Sequence, residues 1–262
     1  MEKRKNRLME TLRKPFQGVK NIVRFNWHFY AIVFFFVLIF FVSPFFVPVL
    51  LKKLLFLAGV FILLSVIISL AVSYYIYDAT NFYKMKWLNI SETSKPYNIL
   101  NINAGFDEIS YLLKNIFINS EVKCADFYDE TKHTEISIKR ARILYPNSSE
   151  TISVQTNFLP FESDSLDFIF LIFAAHEIRN GDELTVFFKE INRVLNPNGK
   201  VIIIEHLRDF NNFLAFNIGF LHFLPVKRWE RTIKNAELSI SEKTKINPFV
   251  TTFYLTKHGC SS

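Results

Sequence analysis

The sequence predicts an α/β unit built on a mostly parallel sheet, preceded by a two-helix transmembrane hairpin. Three observations carry this. Residues 29–51 and 54–77 hold no charged side chain, and each stretch exceeds the roughly 20 residues a helix needs to cross a bilayer core. After Lys95-Pro96 the texture changes, and short apolar runs alternate with amphipathic helical patterns, as in a β-α-β succession. Within that part, "LDFIFLIF" from Leu166 is a continuous apolar run, the mark of a strand buried on both faces.

The hairpin comes first. Lys52 and Lys53 separate the two apolar stretches, and Pro44 and Pro48 interrupt the end of the first, so the far-side bend is expected in "SPFFVPVLLKK", starting near Ser43. The chain has 262 residues and a formal charge of +7. That charge is concentrated before the hairpin, where Lys3, Arg4, Lys5, Arg7, Arg13, Lys14, Lys20 and Arg24 face only Glu2 and Glu10. A basic arm beside an apolar span points to a lipid surface rather than to nucleic acid. Two lysines in the bend and Lys84 and Lys86 after the second span put both ends on the cytoplasmic side by the positive-inside rule. Tyr74, Tyr75, Tyr77, Tyr83 and Trp87 are expected to line the interface. A cleaved signal peptide is not expected, because a second span follows. The alternative for these stretches is a helical hairpin buried in a soluble protein. The cysteines, Cys124 and Cys260, have no metal-ligand spacing, and no metal site is expected.

The remaining elements follow in order. "YNILNI" is the first strand, with a helix over about 107–118. "EVKCA" is the second, ending at Asp126, and a helix over about 134–145 is stopped by Pro146. "TISVQ" is the third strand and the Leu166 run the fourth. Leu184, Phe187, Phe188, Ile191, Val194 and Leu195 then repeat at the helical period. "NPNG" ends that helix and "KVIIIEH" is the fifth strand. A helix near 229–236 and two strands, "ELSISEKTKI" and "TTFYLTK", close the chain. The expected divisions are a basic cytoplasmic arm (1–27), the hairpin (28–78), a linker or interfacial helix (79–96) and the α/β unit (97–262).

Four stretches read together: "ILNINAG" before a helix, Asp126 ending a strand, "TNFLPFESDSLDFIF", and "EINRVLNPNGKVIIIEH". In this order they resemble the class I S-adenosylmethionine-dependent methyltransferases, most closely the small-molecule group with the ubiquinone and menaquinone C-methyltransferases. Leu159-Pro160-Phe161 with Asp167, and Glu190 with Arg193-Val194-Leu195, carry the likeness, which covers about 97–257. It implies a doubly wound, Rossmann-like sheet of seven strands with the last antiparallel, and S-adenosylmethionine bound at the carboxyl ends of the central strands.

Laid on the family pattern, Asn101 takes the place of the acid opening the cofactor loop, Asn103 that of the first glycine, Gly105 the second and Asp107 the third. The cofactor carries no phosphate, so the loop needs close backbone approach rather than a phosphate cradle. Gly105 supplies the approach, and Asn103 is expected to hold the bend at positive φ. Asp126 corresponds to the ribose-binding acid, with Asp129 in the long following loop as a rival. The adenine-contacting position falls on Gln155, with Asn157 as the alternative; Phe158 either covers the adenine or belongs to the core. On the acceptor side, "FAAHEIRN" and "EHLRD" bring His176, Glu177, Glu205 and His206 toward the pocket mouth. His176 or His206 is the candidate base for an acceptor that starts protonated, with His133 a weaker one. The apolar 211–225 segment covers the acceptor, dips into the bilayer or is a plain buried helix.

The leading expectation is a membrane-anchored methyltransferase acting on a small, lipophilic acceptor at the cytoplasmic face of a bacterial inner membrane. Its rival is a catalytically inactive methyltransferase-like scaffold or ligand sensor, given the depleted glycine loop. A dinucleotide-dependent oxidoreductase ranks last, because residues 103–108 offer one phosphate-cradling glycine where such a loop needs several.

Overall fold

The structure is a computed structural model, and it describes residues 13–80, 82–88, 90 and 92–259. Lys3, Arg4, Lys5 and Arg7 of the basic arm, and Cys260, lie outside the described residues.

The chain enters through α1 (Gln17–Phe25) and turns directly into α2 (Trp27–Val42). A 3-10 turn over Ser43–Phe46 and the Val47-Pro48 step reverse it into α3 (Val49–Tyr74). The bend begins at Ser43 as expected, but it is shorter than expected. Lys52 already donates its backbone N–H to the Pro48 carbonyl at 3.0 Å, so Lys52 and Lys53 belong to the first turn of α3 rather than to the bend. Pro48 explains this: it has no N–H to lose and its fixed φ suits a helix start. Two helical segments, Trp27–Phe46 and Val49–Lys84, are long and apolar enough to cross a membrane. Their side chains face outward, with Phe34, Leu57 and Phe61 each more than 60% exposed. They are therefore no buried core hairpin among the described residues.

α3 ends in a π-helical turn over Tyr75–Ala79. Asp78 in that turn accepts the backbone N–H groups of Gly18 and Val19, both at 2.8 Å. A carboxylate on the otherwise unpaired donors of a helix start is stabilising, and it fixes α1 against the end of α3. Gly18 makes this approach possible, since a Cβ there would collide with Tyr77.

The α/β unit holds one seven-stranded sheet in the order β3-β2-β1-β4-β5-β7-β6. The strands are β1 (Asn98–Asn103), β2 (Glu121–Asp126), β3 (Ile152–Ser153), β4 (Leu166–Ile172), β5 (Leu195–His206), β6 (Leu238–Asn247) and β7 (Val250–Lys257). All pairs are parallel except those of β7 with β5 and β6. The helices are α4 (Ser110–Ile116), α5 (Ile136–Leu144), α6 (Gly181–Val194), α7 (Phe210–Phe216) and α8 (Val226–Asn235). One face of the sheet packs on Leu184, Phe187, Phe188 and Ile191 of α6 and Trp229 of α8, the stripe the helical period foretells. Two boundaries differ from expectation. β3 is only two residues long, and "NPNG" is extended chain within β5, because Leu195 already pairs with Leu166 before the register shifts.

The opposite face is covered in part by residues expected to belong to the end of the hairpin and to the linker. Ile76, Phe82, Tyr83 and Met85 are buried there against Ile99, Phe170, Ile202 and Ile204. The described residues of 79–96 form a short 3-10 turn over Phe82–Lys84 and no interfacial helix. Tyr74 and Tyr75 are exposed as expected, but Tyr83 is buried and the Trp87 indole donates to the Phe82 carbonyl at 2.8 Å. Burying their rings on the sheet outweighs leaving them at an interface, because each large aromatic removes on the order of 150–250 Å² from solvent.

Candidate active site

The register aligns the carboxyl ends of the central strands: Asn103 lies beside Asp126, and Ile172 beside Ile204. On the expectation from the resemblance, the cofactor end of the cleft lies over β1 and β2 and the acceptor end over β4 and β5.

At the cofactor end, the bend after β1 is built by a side chain. Asn103 Oδ1 accepts from Gly105 N at 2.8 Å, while the positive φ, +96°, belongs to Gly105. Asn103 therefore holds the bend as an Asx turn rather than by a left-handed backbone, which corrects the expectation. Asp107 starts the next helix: its Oδ1 accepts from Ile109 N and Ser110 N, both at 2.9 Å, and from Asn101 Nδ2 at 3.0 Å. Asn101 also donates to Ser110 Oγ at 3.0 Å. Its amide thus braces the loop from inside, buried, and does not face the cleft. Cys124 of β2 closes the cluster, accepting from Asn103 Nδ2 and donating to Asp107 Oδ2, both at 3.3 Å. Burial first, then the Asp107 carboxylate, push its thiol up to about 11.

Asp126 ends β2 with its side chain buried. Oδ1 accepts from Tyr128 N at 2.8 Å; Oδ2 accepts from Asn147 Nδ2 at 2.6 Å and is ion-paired with Arg142. The Arg142 guanidinium also lies 4.4 Å from the centre of the Tyr128 ring. Its stem fills the space over Gly105, where an added Cβ would come within 2.9–3.2 Å of Arg142 atoms. Asp129 closes its own turn, accepting from Thr131 N at 2.9 Å and Thr131 Oγ1 at 2.6 Å. His133 is buried as the acceptor of Asp129 N, at 2.9 Å. Gln155 and Asn157 are exposed, one residue and three residues past Val154, whose N–H reaches the Asp126 carbonyl at 2.9 Å. Phe158 is exposed and not in the core.

The acceptor end holds two histidines in opposite surroundings. His176 stands on a 3-10 turn, Ala175–Glu177, just after β4. Its Nδ1 lies 2.7 Å from Glu205 Oε2 and its Nε2 3.3 Å from Glu177 Oε1. Burial disfavours the charged ring, but the two carboxylates outweigh it and hold His176 up at about 10. Burial likewise acts on Glu177, yet His176 and His222 hold its carboxyl well below the usual range. A protonated ring has no lone pair for a proton, so His176 is not a base in this arrangement. His206 ends β5. Its Nδ1 faces the Phe249 carbonyl at 3.0 Å, which assigns the ring hydrogen to Nδ1, and its Nε2 accepts from the Tyr77 hydroxyl at 2.8 Å. The ring is stacked on Phe173 and Phe223, with centroids 4.9 and 4.8 Å away. Burial pushes it down to about 4, so it is neutral with a basic nitrogen.

Three participants were not read from the sequence. Arg142 sat on a helix whose apolar face is thin. Tyr77 was assigned to the membrane interface. His222 was part of the 211–225 segment, where a lone histidine among aromatics was its only signal. That segment forms α7 and a 3-10 turn, Asn217–His222. It is no plain buried helix, for Phe210, Leu214 and Ile218 are exposed. A cavity of about 740 Å³ opens between α1, the end of α3 and the loop after β1, with Arg13, Phe16, Tyr77, Phe106 and Glu108 in its wall.

Comparison with known proteins bears on this cleft. Residues 102–203 match the family model described as a methyltransferase domain. The chain carries a methyltransferase domain. It is 35% identical over 82 residues to the ubiquinone/menaquinone biosynthesis C-methyltransferase UbiE of Rickettsia massiliae, covering 29% of this chain and 32% of that protein. The UbiE of Rickettsia bellii is 29% identical over 136 residues, covering 46% and 52%. The chain thus spans about half the length, or less, of these curated relatives. A SAM-dependent methyltransferase from Aquifex aeolicus superposes with a TM-score of 0.47 at 15% identity, over 62% of this chain and 83% of that one.

Within the methyltransferase domain, the motifs that carried the resemblance hold one another. Glu190 Oε2 accepts from Leu159 N at 3.0 Å, and Arg193 donates to the Leu159 carbonyl at 2.8 Å and the Phe161 carbonyl at 3.0 Å. Glu190 and Arg193 are themselves paired at 2.8 Å. Asp167 Oδ2 accepts from Asn98 N at 2.8 Å and so ties β4 to the start of β1. These contacts tie the scaffold together.

Proposed function

We propose that this chain is a membrane-anchored, S-adenosylmethionine-dependent methyltransferase acting on a small lipophilic acceptor at the cytoplasmic face. The observation that carries the reading is Asp126: a carboxylate at the carboxyl end of β2, beside the Gly105 turn, in a sheet ordered β3-β2-β1-β4-β5-β7-β6. The residues fit the cofactor's ribose end. The three atoms nearest to a Cβ added at Gly105 all belong to the flexible Arg142 side chain, which is one-third exposed. With Arg142 turned out, Asp126 would accept from the ribose hydroxyls, and Gln155 or Asn157 would serve the adenine. The cofactor supplies a methyl group on a sulfonium.

The chain's own residues do the rest. The cavity beside α1 and the end of α3 supports an acceptor entering from the lipid surface, since both helices adjoin the apolar hairpin. Tyr77 lines that cavity and hydrogen-bonds the neutral His206. His206 Nε2 would be the base for an acceptor proton, with the Tyr77 hydroxyl holding that nitrogen in place. The anchor raises the local concentration of a membrane-dissolved substrate. On this reading residues 1–27 are a basic arm, 28–78 the anchor and 97–262 the catalytic part, with Phe82, Tyr83 and Met85 of the 79–96 stretch packed on its sheet.

One observation favours a second reading. Arg142 engages Asp126 and fills the Gly105 approach, which suits a methyltransferase-like scaffold or sensor that no longer binds cofactor. Full-length protein in detergent, incubated with methyl-labelled S-adenosylmethionine and a bacterial lipid extract, separates the two. Label is expected in the organic phase. Folded protein that binds no cofactor at millimolar concentration would establish the scaffold reading instead.

A further inference from the structure

We propose that His176, Glu177 and His222 form a binding site for one divalent transition-metal ion of the zinc class. The three residues offer one ligand atom each, and these atoms lie within 4.8 Å of one another. Glu177 Oε1 stands 3.3 Å from His176 Nε2 and 3.3 Å from His222 Nε2. That spacing is long for a charge-assisted hydrogen bond, which closes to about 2.7–2.9 Å; the His176–Glu205 contact, at 2.7 Å, shows what such a bond looks like in this same cluster. These two spacings match the edge of a tetrahedron around an ion with ligands at about 2.0–2.1 Å, which is roughly 3.3 Å, and the third, between the two histidines, lies within 4.8 Å.

The surroundings orient the His176 ring for this role. A metal-binding imidazole characteristically presents its other nitrogen to a carboxylate, which fixes the tautomer and raises its basicity. His176 turns Nδ1 to Glu205, while His222 Nδ1 faces the Arg179 guanidinium with Glu135 Oε1 3.4 Å away; both Nε2 atoms stand 3.3 Å from Glu177. Two histidines and a glutamate are a known ligand set for zinc, leaving one position for a water or a substrate oxygen. Arg179 is the competitor, with Nη2 3.0 Å from His222 Nε2. Its guanidinium also contacts His222 Nδ1 and the His222 carbonyl, and its side chain is 39% exposed, so an ion entering here displaces it, whereas Glu177 is buried. An ion here would tie the 3-10 turn that carries His222 to the turn after β4 that carries His176.

The test uses full-length protein in detergent, stripped with a chelator and titrated first with Co²⁺ and then with Zn²⁺. The expected result is one Co²⁺ per chain with the visible d–d absorption of a low-coordinate site, displaced by Zn²⁺. His222→Ala, at a half-buried position, is expected to lose more than tenfold in affinity. Arg179→Ala is expected to bind at least as tightly as the parent. Folded parent protein without visible bands or stoichiometric binding would overturn the proposal, as would equal affinity in His222→Ala or weaker binding in Arg179→Ala.

Discussion

The two ends of the cleft use polar residues in opposite ways. At the cofactor end, Asn101, Asn103, Asp107, Cys124 and Asp126 are satisfied by one another or by Arg142 and Asn147. At the acceptor end, His176 faces two carboxylates and keeps its proton, while His206 is stacked between phenylalanine rings and stays neutral. Residue type alone predicted neither outcome. A loop lacking glycines is held by side-chain bonds, and two histidines one strand apart differ in charge because one is surrounded by carboxylates and the other by rings.

The largest expected effect tests whether the cofactor end can open. Asp126→Ala removes the proposed ribose acceptor and should raise the dissociation constant for S-adenosylmethionine about 10- to 100-fold, from the roughly 1.5–3 kcal/mol carried by hydrogen bonds to a charged group. Arg142→Ala should act in the other direction, tightening binding about fivefold, because freeing a carboxylate from one ion pair recovers on the order of 1 kcal/mol. Calorimetry on full-length protein measures both, with thermal denaturation as the fold control. Unchanged affinity in both variants would show that this end is a closed structural knot.

That contrast also explains what was legible in the sequence. Apolar periodicity located the sheet and α6, because burial imposes it. Glu190 and Arg193 were recognisable as a charged pair at helical spacing, and the structure shows them clamping the Leu159 N–H and the Leu159 and Phe161 carbonyls. Arg142, Tyr77 and His222 reach the cleft from elements whose docking no local pattern encodes. Tyr77 read as an interface residue because the turn that aims it at His206 forms only where α3 meets the sheet.

The next effect concerns pH and the two histidines, measured by thermal denaturation with a chelator present. An unfolded imidazole titrates near 6.5. His176 is held up at about 10, so its contribution is complete below pH 6.5 and is lost as pH rises toward 10. His206 is held down at about 4, so the unfolded chain takes up a proton that the folded chain refuses, and stability falls as pH drops from 6.5 toward 4. His176→Gln should flatten the alkaline limb and His206→Gln the upper part of the acid limb. Below the ordinary glutamate value of 4.5, Glu177, whose carboxyl is held low, adds its own loss, so the His206 window is read above that pH. If both substitutions flatten the same limb, the opposite-charge assignment fails.

The smallest effect ties the acceptor end to the hairpin. Tyr77→Phe keeps the ring that packs on Phe173 but removes the hydroxyl that donates to His206. A neutral hydrogen bond of this kind contributes about 1 kcal/mol, so a drop of about fivefold in kcat is expected, with KM for the acceptor nearly unchanged. A purely structural Tyr77 would lower the melting temperature and leave the pH–rate profile in place. A positioning Tyr77 shifts the basic nitrogen of His206 and moves the acid limb of that profile. The distinction also decides where the hairpin can be cut. Removal of residues 1–78 takes Ile76 from the sheet face and the hydroxyl from His206 together. Only a chain that retains the turn from Tyr75 onward should keep the profile of the intact protein.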